Sequence, residues 1–240
     1  MADKKTGLVV LSGGQDSATC LGVALKECDD VYTVTFDYGQ KHRIEIESAV
    51  AISKELGCPN EVIKLGDILK STSPLVSDTK LDLYDGPSDL PNGGIEQTFV
   101  PARNSLFLTV AFNRAVWYKA SHVYTGVCQE DFGGYPDCRH VFIQAMEAAL
   151  NQGLAVEPWI QIKTPLMYLT KAQTVQLGKQ MLGDKFERVM KGTHTCYAGV
   201  LGGCGKCHAC ILRDRGFSDA GIADPLWDLR KVPTLEEIAD

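Results

Sequence analysis

The chain has 240 residues, 45% of them apolar and 22% charged, with a formal net charge of −6. That length supports one large hydrophobic core, and no apolar run is long enough to cross a membrane as a helix. An acidic balance speaks against nucleic acid as the main partner, because neutralising phosphates needs a concentrated basic surface.

Leu8-Val9-Val10-Leu11 is a short apolar run that predicts a buried strand, and Ser17 to Lys26 continues it as a helix. Val31 to Phe36, rich in β-branched and aromatic residues, predicts a second strand. His42 to Leu56 predicts a helix capped by Gly57, and Glu61 to Leu65 a third strand. The stretch Ser71 to Gln97 is rich in Ser, Asp, Pro and Gly and reads as a long surface loop or lid. Then follow a helix over Asn104 to Ala120 and a strand over His122 to Val127. A helix over Val141 to Asn151, a strand over Trp159 to Ile162 and a helix over Thr170 to Met181 come next. After Lys191 the periodicity fades into a cysteine-rich segment. Alternating strands and helices predict an α/β fold with a parallel, doubly wound sheet. Ligands then sit outside the carboxyl ends of the strands, where Ser12–Ser17, Asp37–Gly39, Gly126–Arg139 and Thr164–Leu166 all fall.

Ser12-Gly13-Gly14-Gln15-Asp16-Ser17, set between strand and helix, has the chemistry of a phosphate site. Its glycines let the backbone approach an anion, and the helix start offers free N–H groups and a positive dipole end. Asp16 is the odd member, assigned to Mg²⁺ or to loop geometry. The plainer alternative is a simple strand-to-helix turn with Asp16 or Ser17 as N-cap. No Gly-x4-Gly-Lys-Ser/Thr and no Gly-x-Gly-x-x-Gly after the first strand occurs, which disfavours Walker-type and dinucleotide folds.

Four of the nine cysteines crowd into Cys196-x7-Cys204-x2-Cys207-x2-Cys210. Four thiolates suit tetrahedral Zn²⁺ in a closed structural site. An iron–sulfur cluster and a redox Cys-x-x-Cys are the competing readings. Cys20, Cys28, Cys58, Cys128 and Cys138 read as small buried residues. The N-terminus shows no export signal, so the expected compartment is the cytoplasm and a disulfide framework is not expected.

The pattern Ser-Gly-Gly-x-Asp-Ser resembles the N-type ATP pyrophosphatases, the PP-loop family, which implies ATP cleavage to AMP and pyrophosphate. Further segments sharpen the likeness: Phe36-Asp37-Tyr38-Gly39-Gln40-Lys41-His42, Val100-Pro101-Ala102-Arg103-Asn104, Asp131 to Arg139, Thr164-Pro165-Leu166 and Cys204 to Arg213. In this order they resemble the 7-cyano-7-deazaguanine (preQ0) synthase family of the queuosine pathway, from about Leu8 to about Asp224, with no motif matched over Ser71–Gln97.

The resemblance implies an adenine nucleotide alpha hydrolase-like body over residues 1–190 and a small C-terminal zinc-binding appendage over 191–240. It implies an ATP-dependent ligase that converts 7-carboxy-7-deazaguanine and ammonia to the nitrile, with Mg²⁺ and Zn²⁺, as a homodimer that binds no nucleic acid directly. Leu11, Ser12, Gly13, Gly14, Gln15, Asp16, Ser17, Asp37 and Tyr38 would bind ATP. Arg103, Asp131, Tyr135, Asp137 and Arg139 would hold the substrate, and Asp16, Ser17, Arg103, Asp131 and Lys163 would act in catalysis. Cys196, Cys204, Cys207 and Cys210 would bind the metal. Plainer roles compete at single positions: Asp131 and Asp137 as turn or capping residues, Arg103 and Asn104 as helix caps, Tyr38 as core. A PP-loop tRNA thiolase, a non-catalytic zinc-binding nucleotide sensor and a glutamine-dependent amidotransferase are the rival functions.

Overall fold

The computed structural model describes residues 4–91, 94–129, 134–155 and 157–230. Five strands form one parallel sheet: β1 (Thr6–Val10), β2 (Asp30–Asp37), β3 (Asn60–Lys64), β4 (His122–Tyr124) and β5 (Gln161–Lys163). Their spatial order is β3-β2-β1-β4-β5. The chain runs outward in one direction from β1 through β2 and β3, then returns to add β4 and β5 on the other side. That reversal opens a crevice at the carboxyl ends of β1 and β4.

Eight helices flank the sheet among the described residues: α1 (Gln15–Glu27), α2 (Ile44–Leu56), α3 (Arg103–Tyr118), α4 (His140–Gln152), α5 (Lys171–Leu182), α6 (Phe186–Gly192), α7 (His208–Asp219) and α8 (Trp227–Arg230). The sheet is buried on both faces, as parallel sheets are. Successive residues of β1 serve opposite cores. Val9 packs with Leu21 and Ala24 of α1, Ile52 of α2, Val175 of α5 and Phe217 of α7. Leu8 packs with Leu108 and Phe112 of α3 and Ile143 of α4. The period of two along the strand therefore sorts side chains between the two helical layers.

Most expected elements are present with ends moved by a few residues, and the departures have physical causes. The expected strand over His122–Val127 stops at Tyr124, because Gly126 turns in against the backbone of Asp16 and Ser17, where a Cβ would be crowded. The expected strand at Trp159–Ile162 starts at Gln161. Gly57 ends α2 in the left-handed conformation as expected, and Thr170 opens α5 with a capping box through Gln173.

Neither α6 nor α7 was expected. In α7 the polar His208 and Arg213 are buried together with Cys210, Ile211, Leu212 and Phe217, while Arg215, Ser218 and Asp219 face water, so polarity does not track burial along the helix and its apolar period is blurred. This helix packs on α5 and joins the same core through Phe217, so the cysteine-bearing segment is built into the body of the molecule. The expected tail beyond residue 230 lies outside the described residues. Among the described residues of Ser71–Gln97 the chain forms one short 3₁₀ turn, Pro87–Asp89. It is nevertheless anchored: Ser73 and Glu96 are buried, Leu81 packs on the cysteine cluster, and Tyr84 N–H donates to the Lys206 carbonyl at 2.8 Å.

Candidate active site and metal centre

A cavity of about 280 Å³ opens where the topology reverses. Its floor is the loop after β1. Gly14 is the N-cap of α1 and provides no side-chain cap, so the first N–H groups of the helix face the cavity without an internal partner. Gly13 has φ +89° and packs on the Glu45 carbonyl, where a Cβ would collide, so both conformation and space demand glycine. The hydroxyls stiffen the loop. Ser17 Oγ donates to the Gly14 carbonyl at 3.0 Å and receives the Ser12 N–H at 3.2 Å. Leu11, Ser12, Gly14, Gln15, Asp16 and Ser17 all line the cavity.

Asp16 holds Lys171 Nζ at 2.8 Å through Oδ2, while its buried Oδ1 has no hydrogen-bond partner. A hard, partnerless carboxylate oxygen beside an anion-binding helix start fits Mg²⁺. Lys171 opens α5, whose capping box holds its backbone, and Gly216 of α7 packs against it. The cavity lysine is therefore Lys171. Lys163, expected to act on the reacting group, is not among the residues that line the cavity.

One wall is aromatic. Phe36 stacks on Phe107 with centroids 4.3 Å apart, and Tyr38 meets the same ring edge-on at 5.2 Å. Tyr38 is buried and lines the cavity, whereas Asp37 pairs with Arg43 at 3.4 Å outside it. Arg103, at the first position of α3, is hydrogen-bonded to Tyr38 and lies close to Tyr135 and Tyr197. Tyr135 bonds Thr98 through its hydroxyl. Asp137 sits behind this wall: its Oδ2 accepts the Asn104 N–H at 3.3 Å and its carbonyl accepts Asn104 Nδ2 at 3.2 Å. It is buried and does not line the cavity, so this geometry gives it the work of holding the start of α3. Burial pushes its carboxyl up, with Arg103 pulling the other way. Arg139 is exposed at the N-cap of α4 and does not line the cavity either. Asp131 lies outside the described residues.

Several lining residues had no signal in the sequence. Glu45, in the first turn of α2, lines the cavity, and burial pushes its carboxyl up to about 7 against the pull of Arg103. His194, Tyr197 and Arg213 come from the cysteine-bearing region. His194 N–H donates to the Gly13 carbonyl at 2.9 Å, tying that region to the phosphate loop. Arg213, 1% exposed, donates Nε and Nη2 to the Asp224 carboxylate at 2.7 and 2.8 Å. It also reaches Thr193 Oγ1 at 2.7 Å and the Met190 carbonyl at 3.1 Å. The helix expected over Thr170 to Met181 includes the start at Lys171, and Thr170-x-x-Gln173 is the capping signature that could have fixed it.

The sulfurs of Cys196, Cys204, Cys207 and Cys210 all lie within 4.8 Å of one another. A tetrahedral zinc with Zn–S bonds of about 2.3 Å spaces its sulfurs at about 3.8 Å, so the cluster has the size for one ion. Backbone N–H groups support the sulfurs: Cys204 N–H points at Cys196 Sγ (3.3 Å), and Lys206 and Cys207 N–H point at Cys204 Sγ (3.4 and 3.3 Å). Hydrogen bonds from Cys207 and Cys210 hold the Cys196 thiol well below its ordinary range, and the bond to Cys196 pushes Cys207 up to about 12. Four thiols crowded this closely share protons unevenly, and a bound cation would replace those protons.

Comparison with known proteins places this geometry. The family model described as "Queuosine biosynthesis protein QueC" matches residues 6–221. The chain is 55% identical over 231 residues to 7-cyano-7-deazaguanine synthase of Gloeobacter violaceus, covering 95% of this chain and 98% of that protein. Among solved structures, a predicted tRNA methyltransferase subunit from Methanocaldococcus jannaschii aligns with a TM-score of 0.45 and 22% identity over 72% of this chain and 73% of that one. The NH3-dependent NAD synthetase of Campylobacter jejuni aligns at 0.43 and 13% over 80% and 70%.

Proposed function

This chain belongs to the queuosine biosynthesis protein QueC family, and we propose that it is an ATP-dependent carbon–nitrogen ligase that converts 7-carboxy-7-deazaguanine and ammonia to 7-cyano-7-deazaguanine. The observation that carries this reading is that an uncapped helix start and an aromatic wall line one and the same cavity. The first suits the phosphates of ATP and the second a flat heterocycle.

The chemistry needs oxygen to be expelled twice from one carbon. Transfer of AMP to the substrate carboxylate creates a leaving group, and ammonia then displaces AMP to give the amide. A second ATP adenylates the amide oxygen, and loss of AMP leaves the nitrile. Residues 1–190 form the ATP-binding body and residues 191–240 the metal-binding segment. Leu11 to Ser17 cradle the leaving pyrophosphate, Lys171 offsets its charge, and Tyr38 packs on the nucleotide side. Mg²⁺, held at Asp16, neutralises phosphate oxygens when bound. Zn²⁺ on the four cysteines is structural, because all four positions are filled by protein. Arg103 aims a fixed guanidinium fork at the carboxylate or its adenylate. Tyr135 contributes an aromatic face to the deazaguanine. Asp137 supports this subsite from behind through Asn104 at the start of α3, Arg139 stands at the N-cap of α4, and Asp131 is assigned to the deazaguanine ring as an acceptor for its amino and ring N–H groups.

Incubating the protein with 7-carboxy-7-deazaguanine, ammonium, ATP and Mg²⁺ and following products by mass spectrometry tests the reading. Nitrile, AMP and pyrophosphate are the expected products. Absence of both nitrile and AMP from folded, metal-loaded protein overturns it.

A further inference from the structure

Resting on that reading, the geometry points to Glu45 as the residue that accepts the protons the reaction must release. Ammonia loses one proton as it becomes the amide nitrogen. The amide nitrogen then loses two more: one as its oxygen bonds the α-phosphorus and pyrophosphate departs, and one as the C–O bond breaks. In that last step the N–H electron pair becomes the new C–N π bond and the C–O pair leaves with AMP. No oxidant or reductant is involved, and each proton needs an acceptor at the same nitrogen.

Among the described residues, the carboxylates lining the cavity are Asp16 and Glu45. Asp16 is committed to Lys171 at 2.8 Å and sits in the phosphate loop. Glu45, at the start of α2, lines the same cavity and interacts with Arg103 and Tyr38. Its backbone is locked, because its carbonyl packs on Gly13 of the loop. A side chain with a fixed base beside both the phosphate loop and the arginine is placed where the reacting carbon must lie. The groups acting on its charge are Arg103 from α3, Tyr38 after β2 and Cys196 from the cysteine segment. Burial brings its carboxyl to about 7, so it can take up a proton in one step and return it to water before the next.

The test uses the amide, 7-carboxamido-7-deazaguanine, with ATP and Mg²⁺, so that ammonium titration does not enter the profile. In the wild-type protein, nitrile formation should rise with pH to a plateau, with a midpoint of about 7. Glu45→Gln should lower the plateau rate by about 10²-fold or more and abolish the limb, while ATP binding by calorimetry changes by less than about threefold. Glu45→Asp should keep the limb at a reduced rate, and it serves as the deciding variant should the glutamine form fail to bind ATP. Glu45→Gln with near wild-type turnover, a retained limb, or a loss confined to KM overturns the assignment. So does Glu45→Asp with full rate or no limb. Wild-type protein that makes no nitrile from the amide or from the carboxylate overturns the proposed reaction itself, a separate failure.

Discussion

Asp16 carries one oxygen on Lys171 and one buried oxygen that has no hydrogen-bond partner. Were pyrophosphate and a divalent cation to occupy the loop, as proposed, that carboxylate and that ammonium would gain new partners, and Lys171 is the lysine that lines the cavity among the described residues. Lys171→Met should therefore lower kcat/KM for ATP by about 10²–10³-fold, the usual effect of removing one preorganised charge-stabilising donor. Lys163→Met, whose side chain is not part of the cavity lining, should stay within about tenfold. Initial rates of pyrophosphate release read both, and equal losses would return Lys163 to the site. Gly13→Ala asks for a left-handed backbone and for space already filled by the Glu45 carbonyl. It should destabilise the protein by about 2–4 kcal/mol, visible in a denaturant melt, because strain and overpacking add.

The phosphate loop, α5 and the cysteine segment act as one unit. His194 N–H holds the Gly13 carbonyl, and Gly216 of α7 packs against Lys171, which in turn holds Asp16. A metal on the four cysteines would thus be linked to the loop by two routes, through His194 and through α7 and Lys171. Removing it with a chelator should lower the melting temperature and weaken ATP binding together, with one zinc released per chain by elemental analysis. ATP affinity unchanged after complete release would separate the two regions. The buried Arg213–Asp224 pair is the second clamp on this unit. Arg213→Met leaves a buried carboxylate uncompensated and should cost about 3–5 kcal/mol in a urea melt. The four-cysteine spacing was readable as a metal site, yet these couplings were not. They depend on backbone N–H groups, which carry no sequence signal, and on a helix whose buried face includes the polar His208 and Arg213, which blurs its apolar period.

At the scale of the molecule, the reversal of strand order between β1 and β4 brings together segments from residue 10 to residue 213. No described helix is long and apolar enough to cross a membrane. With a net charge of −6, a gel shift at micromolar protein and physiological salt should show no complex with tRNA. The homodimer implied by the family resemblance should sediment at twice the 26.2 kDa chain mass.

By itself, the sequence determined the alternation of strands and helices, the phosphate loop and the four-thiolate cluster. Each of these is written in local spacing: period two, period 3.6, glycines before a helix start, cysteines a turn apart. The tertiary structure decided which side chains share the cavity. It brought in Glu45 and Lys171, set Asp137 behind the wall as an anchor for α3, and left Lys163 and Arg139 out of the lining. The physical reason is that a side chain's place in a site depends on how separate elements pack, and a polar residue at a helix start looks the same in sequence whether it faces water or a cavity.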